Sequence, residues 1–101
     1  MKYTLGFVSS YNPHSAMHLR TIEQLPEIER VHLCVLDGED SGPLVGSSSK
    51  VETITTDLSK LLLRDELDAL IVATRNDQCS GVMAGAMDVG LPVLFEKPGA
   101  L

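Results

Sequence analysis

The residues best suited to chemistry stand near the end of the chain, where Glu96 and Lys97 are followed by Pro98. They come directly after the apolar run Val93 to Phe95, which is typical of a strand. A lysine at a strand tip could donate a proton or stabilise negative charge that develops on a substrate oxygen. Taken alone, the pair is better explained as a solvated charge pair that closes a strand. Its interpretation therefore depends on the rest of the chain.

Asp37 is a second candidate, because it follows the apolar run Val31 to Leu36. A carboxylate at the end of the second strand of a dinucleotide fold accepts hydrogen bonds from the ribose hydroxyls of adenosine. Glu39 and Asp40 follow and no arginine is adjacent, so a 2′-phosphate would be repelled and NAD is favoured over NADP. The alternative is a turn aspartate before Gly38, which is common. The sequence leaves both interpretations open.

The loop after the first apolar run is the place where a phosphate would bind. Free backbone N–H groups and the positive end of a helix dipole attract phosphate there. A dinucleotide fold would have the pattern G-x-G-x-x-G, because glycine lets the backbone turn tightly and approach the pyrophosphate. Here Gly6 comes too early, and the loop consists of Ser9, Ser10, Tyr11, Asn12, Pro13 and His14. Serine can turn and donate a hydrogen bond, but Tyr11 is hard to accommodate, so the loop alone is weak evidence for a nucleotide.

Strand-like runs alternate with helical segments along the whole chain. The predicted strands are Tyr3 to Val8, Val31 to Leu36, Val51 to Thr55, Ala69 to Thr74 and Pro92 to Phe95. The predicted helices are His14 to Leu25, with Met17, Ile22 and Leu25 on one face, a short helix after the N-cap Asp57, and Asp77 to Val89, with Val82, Met83, Ala86 and Met87 on one face. This alternation predicts an α/β fold with a parallel sheet, in a single domain of residues 1–101.

The crossover between the second and third predicted strands, residues 38–50, is irregular. Its three glycines, one proline and three consecutive serines make a helix improbable there. The segment is predicted either to be a flexible loop or to be held loosely to the sheet by Leu44 and Val45.

Composition and charge exclude several classes of protein. A chain of 101 residues forms one domain with one core. The net charge of −6, with no cluster of basic residues, argues against a nucleic-acid partner. No apolar run approaches the ~18 residues of a membrane span, and the N-terminus lacks a signal-peptide pattern, which predicts a cytoplasmic protein. Cys34, Cys79 and the three histidines lack metal-ligand spacing, so no metal is expected, and Cys34 is expected to be a buried free thiol.

Two segments carry a resemblance to a known family. The first is Asp68 to Asn76, which a helix follows; the second is Gly90 to Pro98, and Met17 to Arg20 adds to them. From Tyr3 to Leu101 the chain resembles the N-terminal domain of the Gfo/Idh/MocA oxidoreductases, the family of glucose–fructose oxidoreductase, inositol dehydrogenase and rhizopine-catabolism proteins. The resemblance implies a Rossmann-like, doubly wound parallel sheet of about five strands in the order 3-2-1-4-5.

The same resemblance implies a nicotinamide dinucleotide cofactor and a site for it. Asp37 would contact the adenosine ribose, Thr74 and Asn76 would lie near the cofactor, and Lys97 would lie beside the nicotinamide and the substrate. In the family this lysine assists proton transfer while hydride passes to or from a sugar or polyol carbon. The predicted cofactor-binding residues are Ser9, Ser10, Tyr11, Asn12, His14, Asp37, Thr74, Arg75, Asn76, Cys79, Glu96 and Lys97.

The chain also departs from the family pattern. The glycines of the first loop are missing, the Gly/Ser segment 38–50 replaces a helix, and Arg75 and Cys79 stand where proline and histidine are usual. Family enzymes continue into a second domain that forms the substrate pocket, so the chain is expected to be incomplete for catalysis. A degenerate, non-catalytic Rossmann module for assembly or small-ligand sensing is the alternative. The apolar edge of the fifth strand predicts a homo-oligomer.

Overall fold

Strands and helices alternate strictly along the part of the chain that the structure describes, residues 2–10, 12–36, 42–74 and 76–95. The strands in this computed structural model are β1 (Tyr3–Ser9), β2 (Ile28–Val35), β3 (Val51–Thr55), β4 (Ala69–Ala73) and β5 (Val93–Phe95). The helices are α1 (Asn12–Glu23), α2 (Gly42–Val45), α3 (Leu58–Leu62) and α4 (Asn76–Asp88). The predicted α/β class is confirmed.

The strands form one parallel sheet with β1 at its centre. The order is β3-β2-β1-β4-β5, and Phe7 of β1 pairs with Leu33 of β2 on one side and with Ile71 of β4 on the other. The chain therefore builds outward from β1 to β3 and then returns to the opposite side of β1. The predicted order 3-2-1-4 is confirmed, and the three residues of β5 lie beside β4, where Val93 pairs with Leu70.

Helices cover both faces of the sheet, as a doubly wound fold requires. Successive strand residues point to opposite faces, so Phe7 and Val8 enter different cores. The core beneath α1 and α2 includes Phe7, Leu33, Leu19, Ile22 and Leu44. The core beneath α3 and α4 includes Val8, Leu70, Leu61, Val82 and Ala86. Since α1 and α2 pack on one face and α3 and α4 on the other, the chain changes face after β3, where α3 carries it back to β4 beside β1.

Gly6 lies in the middle of β1 and serves close packing. A Cβ atom at this position would lie 2.8 Å from Cδ1 of Leu70 and 3.1 Å from Cδ1 of Leu67. Both leucines are buried. Gly6 is thus a packing glycine of the strand, in agreement with the prediction that it comes too early to bind phosphate.

The crossover after β2 contains a short helix, which corrects the prediction that a helix there is improbable. Residues Gly42–Val45 form α2, and Leu44 is completely buried beside α1. Proline is tolerated in the first turn of a helix, where its missing N–H has no partner to lose. Val45 is 42% exposed, so Leu44 alone of the two predicted anchors holds this segment to the core.

The buried face of α1 differs from the predicted one. Met17 and Leu25 are 49% and 42% exposed, whereas Ile22 is buried as predicted, together with Leu19. Ser15, four residues before Leu19, is buried on the same side of the helix. Because Ser15 is polar, the apolar pattern gave no signal for it.

Predictions for the other two helices are largely confirmed. In α4, Val82 and Ala86 are buried as predicted, whereas Met87 is 72% exposed because it lies on the outer side of the helix. At the start of α3, the Asp57 carboxylate accepts a hydrogen bond from the backbone N–H of Ser59 over 3.0 Å, which is the predicted N-cap.

Candidate functional site

The tips of the central strands meet at the edge of the sheet where the strand order reverses. The backbone N–H of Ser10 donates to the carbonyl oxygen of Ala73 over 3.1 Å, which joins the ends of β1 and β4. The N–H of Leu36 donates to the carbonyl oxygen of Ser9 over 2.9 Å, which joins the end of β2 to β1. In open parallel sheets, ligands bind in the crevice outside the carboxyl ends of the strands at this reversal. The β1 and β4 tips therefore mark the candidate site.

Ser9 and Ser15 form a buried hydroxyl pair beneath this edge. The two Oγ atoms are 2.7 Å apart, and both residues are fully buried. Ser9 is the last residue of β1, and Ser15 is the fourth residue of α1. The pair therefore connects the strand to the helix across the turn where a glycine-rich loop was expected. Sequence reasoning missed Ser15.

Thr74, the residue after β4, has a buried hydroxyl with an unmet hydrogen bond. The residue is 6% exposed, and among the residues that the structure describes its Oγ1 has no hydrogen-bond partner. Leaving a buried hydroxyl unpaired costs about 1–3 kcal/mol, and native proteins rarely keep such groups without a reason. A polar ligand in the crevice would supply the missing partner.

The helices that follow the two strand tips begin at the same edge. Asn12 is the first residue of α1, and Asn76 is the first residue of α4. The N-terminus of a helix carries partial positive charge and attracts anions. Both helix N-termini thus stand beside the crevice that Ser10 and Thr74 border.

The structure places some of the predicted site residues and leaves others outside the described part. It brings together Ser9, Ser10 and Thr74, and it places Asn12, His14, Asn76 and Cys79 in the helices that follow β1 and β4. Those of the predicted residues that lie outside the described residues are Tyr11, Asp37, Arg75, Glu96 and Lys97.

A second buried polar group, His32, lies away from this edge in the middle of β2. Its Nδ1 is 2.7 Å from Oγ1 of Thr53. Its Nε2 lies 3.1 Å from Oε1 of Glu66, but without the alignment of a hydrogen bond. Burial, and then the positive charge of Arg64, lower the pKa of His32 below its usual value. This cluster connects β2, β3 and the segment before β4, and it is separate from the candidate site.

Cys34 is a free, buried cysteine, as predicted. Burial raises the pKa of its thiol to about 11, so the thiolate needed for nucleophilic attack is scarce at neutral pH.

The described residues contain no group of three or more histidine, cysteine, aspartate or glutamate side chains arranged for a metal ion. Among the helices of this same part of the chain, none combines the length and apolarity that crossing a membrane would require.

A parallel sheet in this order, with helices on both faces and a reversal of strand order at β1 and β4, defines a Rossmann-like domain. No protein-family model matches the chain, and no curated protein matches it. Solved structures do match. The NAD-binding protein from Listeria innocua is 25% identical with a TM-score of 0.74, and the match covers 98% of this chain and 28% of that one.

Two further solved structures have the same fold. The oxidoreductase domain protein from Kribbella flavida is 24% identical, with a TM-score of 0.63 and coverage of 98% of this chain and 28% of that one. Scyllo-inositol dehydrogenase from Lactobacillus casei, solved with NAD(H) and scyllo-inositol, is 16% identical, with a TM-score of 0.69 and coverage of 97% and 28%.

The structural neighbours are thus oxidoreductases of the Gfo/Idh/MocA type, and the resemblance predicted from the sequence is confirmed. The chain has the fold of their N-terminal Rossmann domain. It spans less than a third of the length of these solved proteins.

Proposed function

We propose that this chain binds a nicotinamide dinucleotide in the crevice between the tips of β1 and β4, as the Rossmann domain of an oxidoreductase. The observation that carries the proposal is the buried hydroxyl of Thr74, which lies beside the joined strand tips and has no hydrogen-bond partner among the described residues. The NAD-binding protein of Listeria innocua and the NAD(H) bound to the Lactobacillus casei enzyme support the choice of ligand. When bound, the nicotinamide supplies hydride transfer, which no protein side chain provides.

The residues at this edge fit such a ligand chemically. A dinucleotide carries phosphate oxygens, ribose hydroxyls and a carboxamide, each of which can pair with the Thr74 hydroxyl. The N-termini of α1 and α4 supply partial positive charge for the pyrophosphate. The segment that contains Ser10, Tyr11, Asn12 and His14 is proposed to bind the pyrophosphate.

The remaining predicted residues complete the proposed site. Asp37 is proposed to accept hydrogen bonds from the adenosine ribose, which makes NAD the preferred cofactor. Lys97 is proposed to donate or accept the proton when hydride passes to or from a sugar or polyol carbon. Contacts to the cofactor are also proposed for Arg75, Asn76, Cys79 and Glu96.

Calorimetric titration with NAD and then with NADP tests the proposal. We expect a micromolar dissociation constant for NAD and much weaker binding of NADP. The variant Asp37→Ser is expected to reduce this discrimination, whereas Asp65→Ser, a change at an exposed aspartate of the α3–β4 connection, leaves it intact. No heat and no shift in melting temperature with either dinucleotide would contradict the proposal and favour a non-catalytic module.

The match covers only 28% of the Lactobacillus casei enzyme, so the cofactor proposal has more support than a substrate does. A sugar or polyol substrate is therefore tested after the cofactor. If a polyol supports NAD reduction, Lys97→Ala is expected to abolish turnover while NAD still binds. Full activity in that variant would remove the proposed role of Lys97.

The chain is also proposed to self-associate through β5. This strand lies at the edge of the sheet with β4 as its neighbour, and an edge strand presents backbone groups that can pair with another chain. Light scattering at tens of micromolar is expected to show a homo-oligomer. A monomer at that concentration would contradict this part of the proposal.

A further inference from the structure

We propose that the buried Ser9–Ser15 hydroxyl pair positions the turn between β1 and α1 for the pyrophosphate, and so performs here a task that glycines perform in other dinucleotide folds. The inference rests on the proposed function, because it assigns a role within the same site. Both serines are positioning residues: they lie beneath the crevice and act through the turn that connects them.

Backbone hydrogen bonds hold the end of β1 on both sides. Leu36 donates a backbone hydrogen bond to the carbonyl oxygen of Ser9, and Ser10 donates one to Ala73. These two bonds fix the end of β1 against β2 and β4. The position of α1 relative to this fixed tip then depends on how the helix is attached to it.

The Ser9–Ser15 hydrogen bond is such an attachment. It joins the last residue of β1 to the fourth residue of α1 over 2.7 Å, and both side chains are fully excluded from solvent. A buried hydrogen bond is geometrically restrictive, because the interior offers its members few alternatives. The pair therefore limits how far the first turn of α1 can shift relative to the strand.

The direction of the Ser9 side chain also supports the proposal. Its hydroxyl contacts Ser15 of α1, so it is engaged with the helix that covers one face of the sheet. A serine in this arrangement fills space within the protein, whereas a side chain that projected into the crevice would compete with the pyrophosphate. Replacement of the expected glycine by Ser9 is thereby compatible with a phosphate at the turn.

The test compares the variants Ser9→Ala and Ser15→Ala, and the double variant, in binding to NAD and to adenosine, which lacks the pyrophosphate. Nuclear magnetic resonance titration reports the weak affinity expected for adenosine. Each single variant is expected to weaken NAD binding about tenfold and to change adenosine binding less than about twofold. The double variant is expected to bind NAD no more weakly than the worse single variant, because both substitutions remove the same hydrogen bond.

Ser48→Ala is the matched control. Ser48 is also a buried serine, and its hydroxyl donates to the Glu23 carboxylate over 2.9 Å at a distance in the fold from the candidate site. Its loss is expected to lower the melting temperature without changing the affinity for NAD. This control separates a loss of stability from a loss of positioning.

The outcomes distinguish the two proposals. NAD affinity that is unchanged in Ser15→Ala, or that falls in parallel with adenosine affinity, would overturn the role of the pair while the proposed function stands. A wild-type protein that binds no NAD would overturn the proposed function and this role together.

Discussion

The backbone N–H of Ser10 donates to the carbonyl oxygen of Ala73 over 3.1 Å, and this bond joins the tips of β1 and β4 at the reversal of strand order. The crevice of a doubly wound sheet opens at this place, because the loops that follow the two strands lead to helices on opposite faces. Thr74 comes directly after Ala73, and within the described part of the chain its hydroxyl has no hydrogen-bond partner. The ligand proposal follows from this arrangement.

Thr74→Val should separate ligand binding from stability. The substitution keeps the shape of the side chain and removes a buried hydroxyl for which residues 2–10, 12–36, 42–74 and 76–95 offer no hydrogen-bond partner. We expect the free energy of unfolding to stay the same or rise by up to about 1 kcal/mol, while NAD affinity falls about tenfold. Chemical denaturation and calorimetry measure the two quantities.

Thr53→Val is the matched control for that variant. The hydroxyl of Thr53 is 2.7 Å from Nδ1 of His32, so its loss removes an existing hydrogen bond. We expect a loss of about 1 kcal/mol in stability and no change in NAD affinity. If the two variants instead behaved alike in both assays, the Thr74 hydroxyl would have no special role.

Gly6→Ala should destabilise the sheet by overpacking. The added Cβ would lie 2.8 Å from Cδ1 of Leu70, a fully buried side chain with little room to move. A loss of about 1–3 kcal/mol in the free energy of unfolding is expected from denaturant titration.

Gly81→Ala in α4 provides the comparison for Gly6. A Cβ at Gly81 would meet no atom within 4 Å, and alanine is the better helix former. The free energy of unfolding of this variant should therefore rise by about 0.5–1 kcal/mol. Equal effects at Gly6 and Gly81 would be inconsistent with the close approach across β1.

Stability should fall in mild acid because of His32. Burial chiefly holds the pKa of His32 below its usual 6.5, and Arg64 and Arg30 lower it further, while Glu66 and Glu52 oppose them. The folded protein therefore keeps the imidazole neutral, and the unfolded chain takes up the proton first as the pH falls. Stability is expected to decline from about pH 6.5 downward until the folded pKa is reached. Denaturation at several pH values measures this decline.

A nuclear magnetic resonance titration of the His32 ring measures its pKa in the folded protein directly. The ring should titrate below 6.5; titration at or above that value would contradict the prediction. The carboxylate of Glu66 does not contribute to the decline in stability that begins near pH 6.5. The hydrogen bond from Arg64 lowers the pKa of Glu66 below 4.5, so its stabilising contribution is lost only in stronger acid.

Lys50 should stabilise the end of α1. Its Nζ donates over 2.9 Å to the carbonyl oxygen of Ile22, in the last turn of α1, and over 2.6 Å to that of Leu25, two residues after the helix ends. The last carbonyls of a helix lack partners within the helix, and a lysine can supply one. Lys50→Met is expected to lower the free energy of unfolding by about 1 kcal/mol. Lys60→Met, at an exposed position of α3, should change it by less than about 0.5 kcal/mol. Thermal melts of both variants measure these changes, and an equal loss of stability in the two would contradict the role of Lys50.

The fold was largely predictable because buried parallel strands leave a strong apolar signal. The predicted strand Val31 to Leu36 ends one residue after the observed end of β2 at Val35. The N-cap of α3, Asp57, was also predicted correctly. The short helix α2 was missed, since the burial of Leu44 outweighs a local sequence that disfavours helix.

The candidate site was predictable only in part. Ser9 and Ser10 were identified because they come after the first apolar run, and Thr74 because of the resemblance to the family. The Ser9–Ser15 pair was missed, because a buried polar residue interrupts the apolar periodicity on which helix faces are predicted. Whether the Thr74 hydroxyl finds a hydrogen-bond partner depends on the atoms that surround it in the fold. A sequence pattern does not contain that information.

The most direct test of the dinucleotide proposal is a map of amide resonance shifts as NAD is added to the wild-type protein. We predict that the largest shifts occur at Ser10 and Thr74, at the tips of β1 and β4, and that Gly90, which precedes β5 at the opposite end of the strands, is unaffected. Saturating NAD that leaves Ser10 and Thr74 unchanged, or that shifts only the opposite end of the strands, would contradict the prediction.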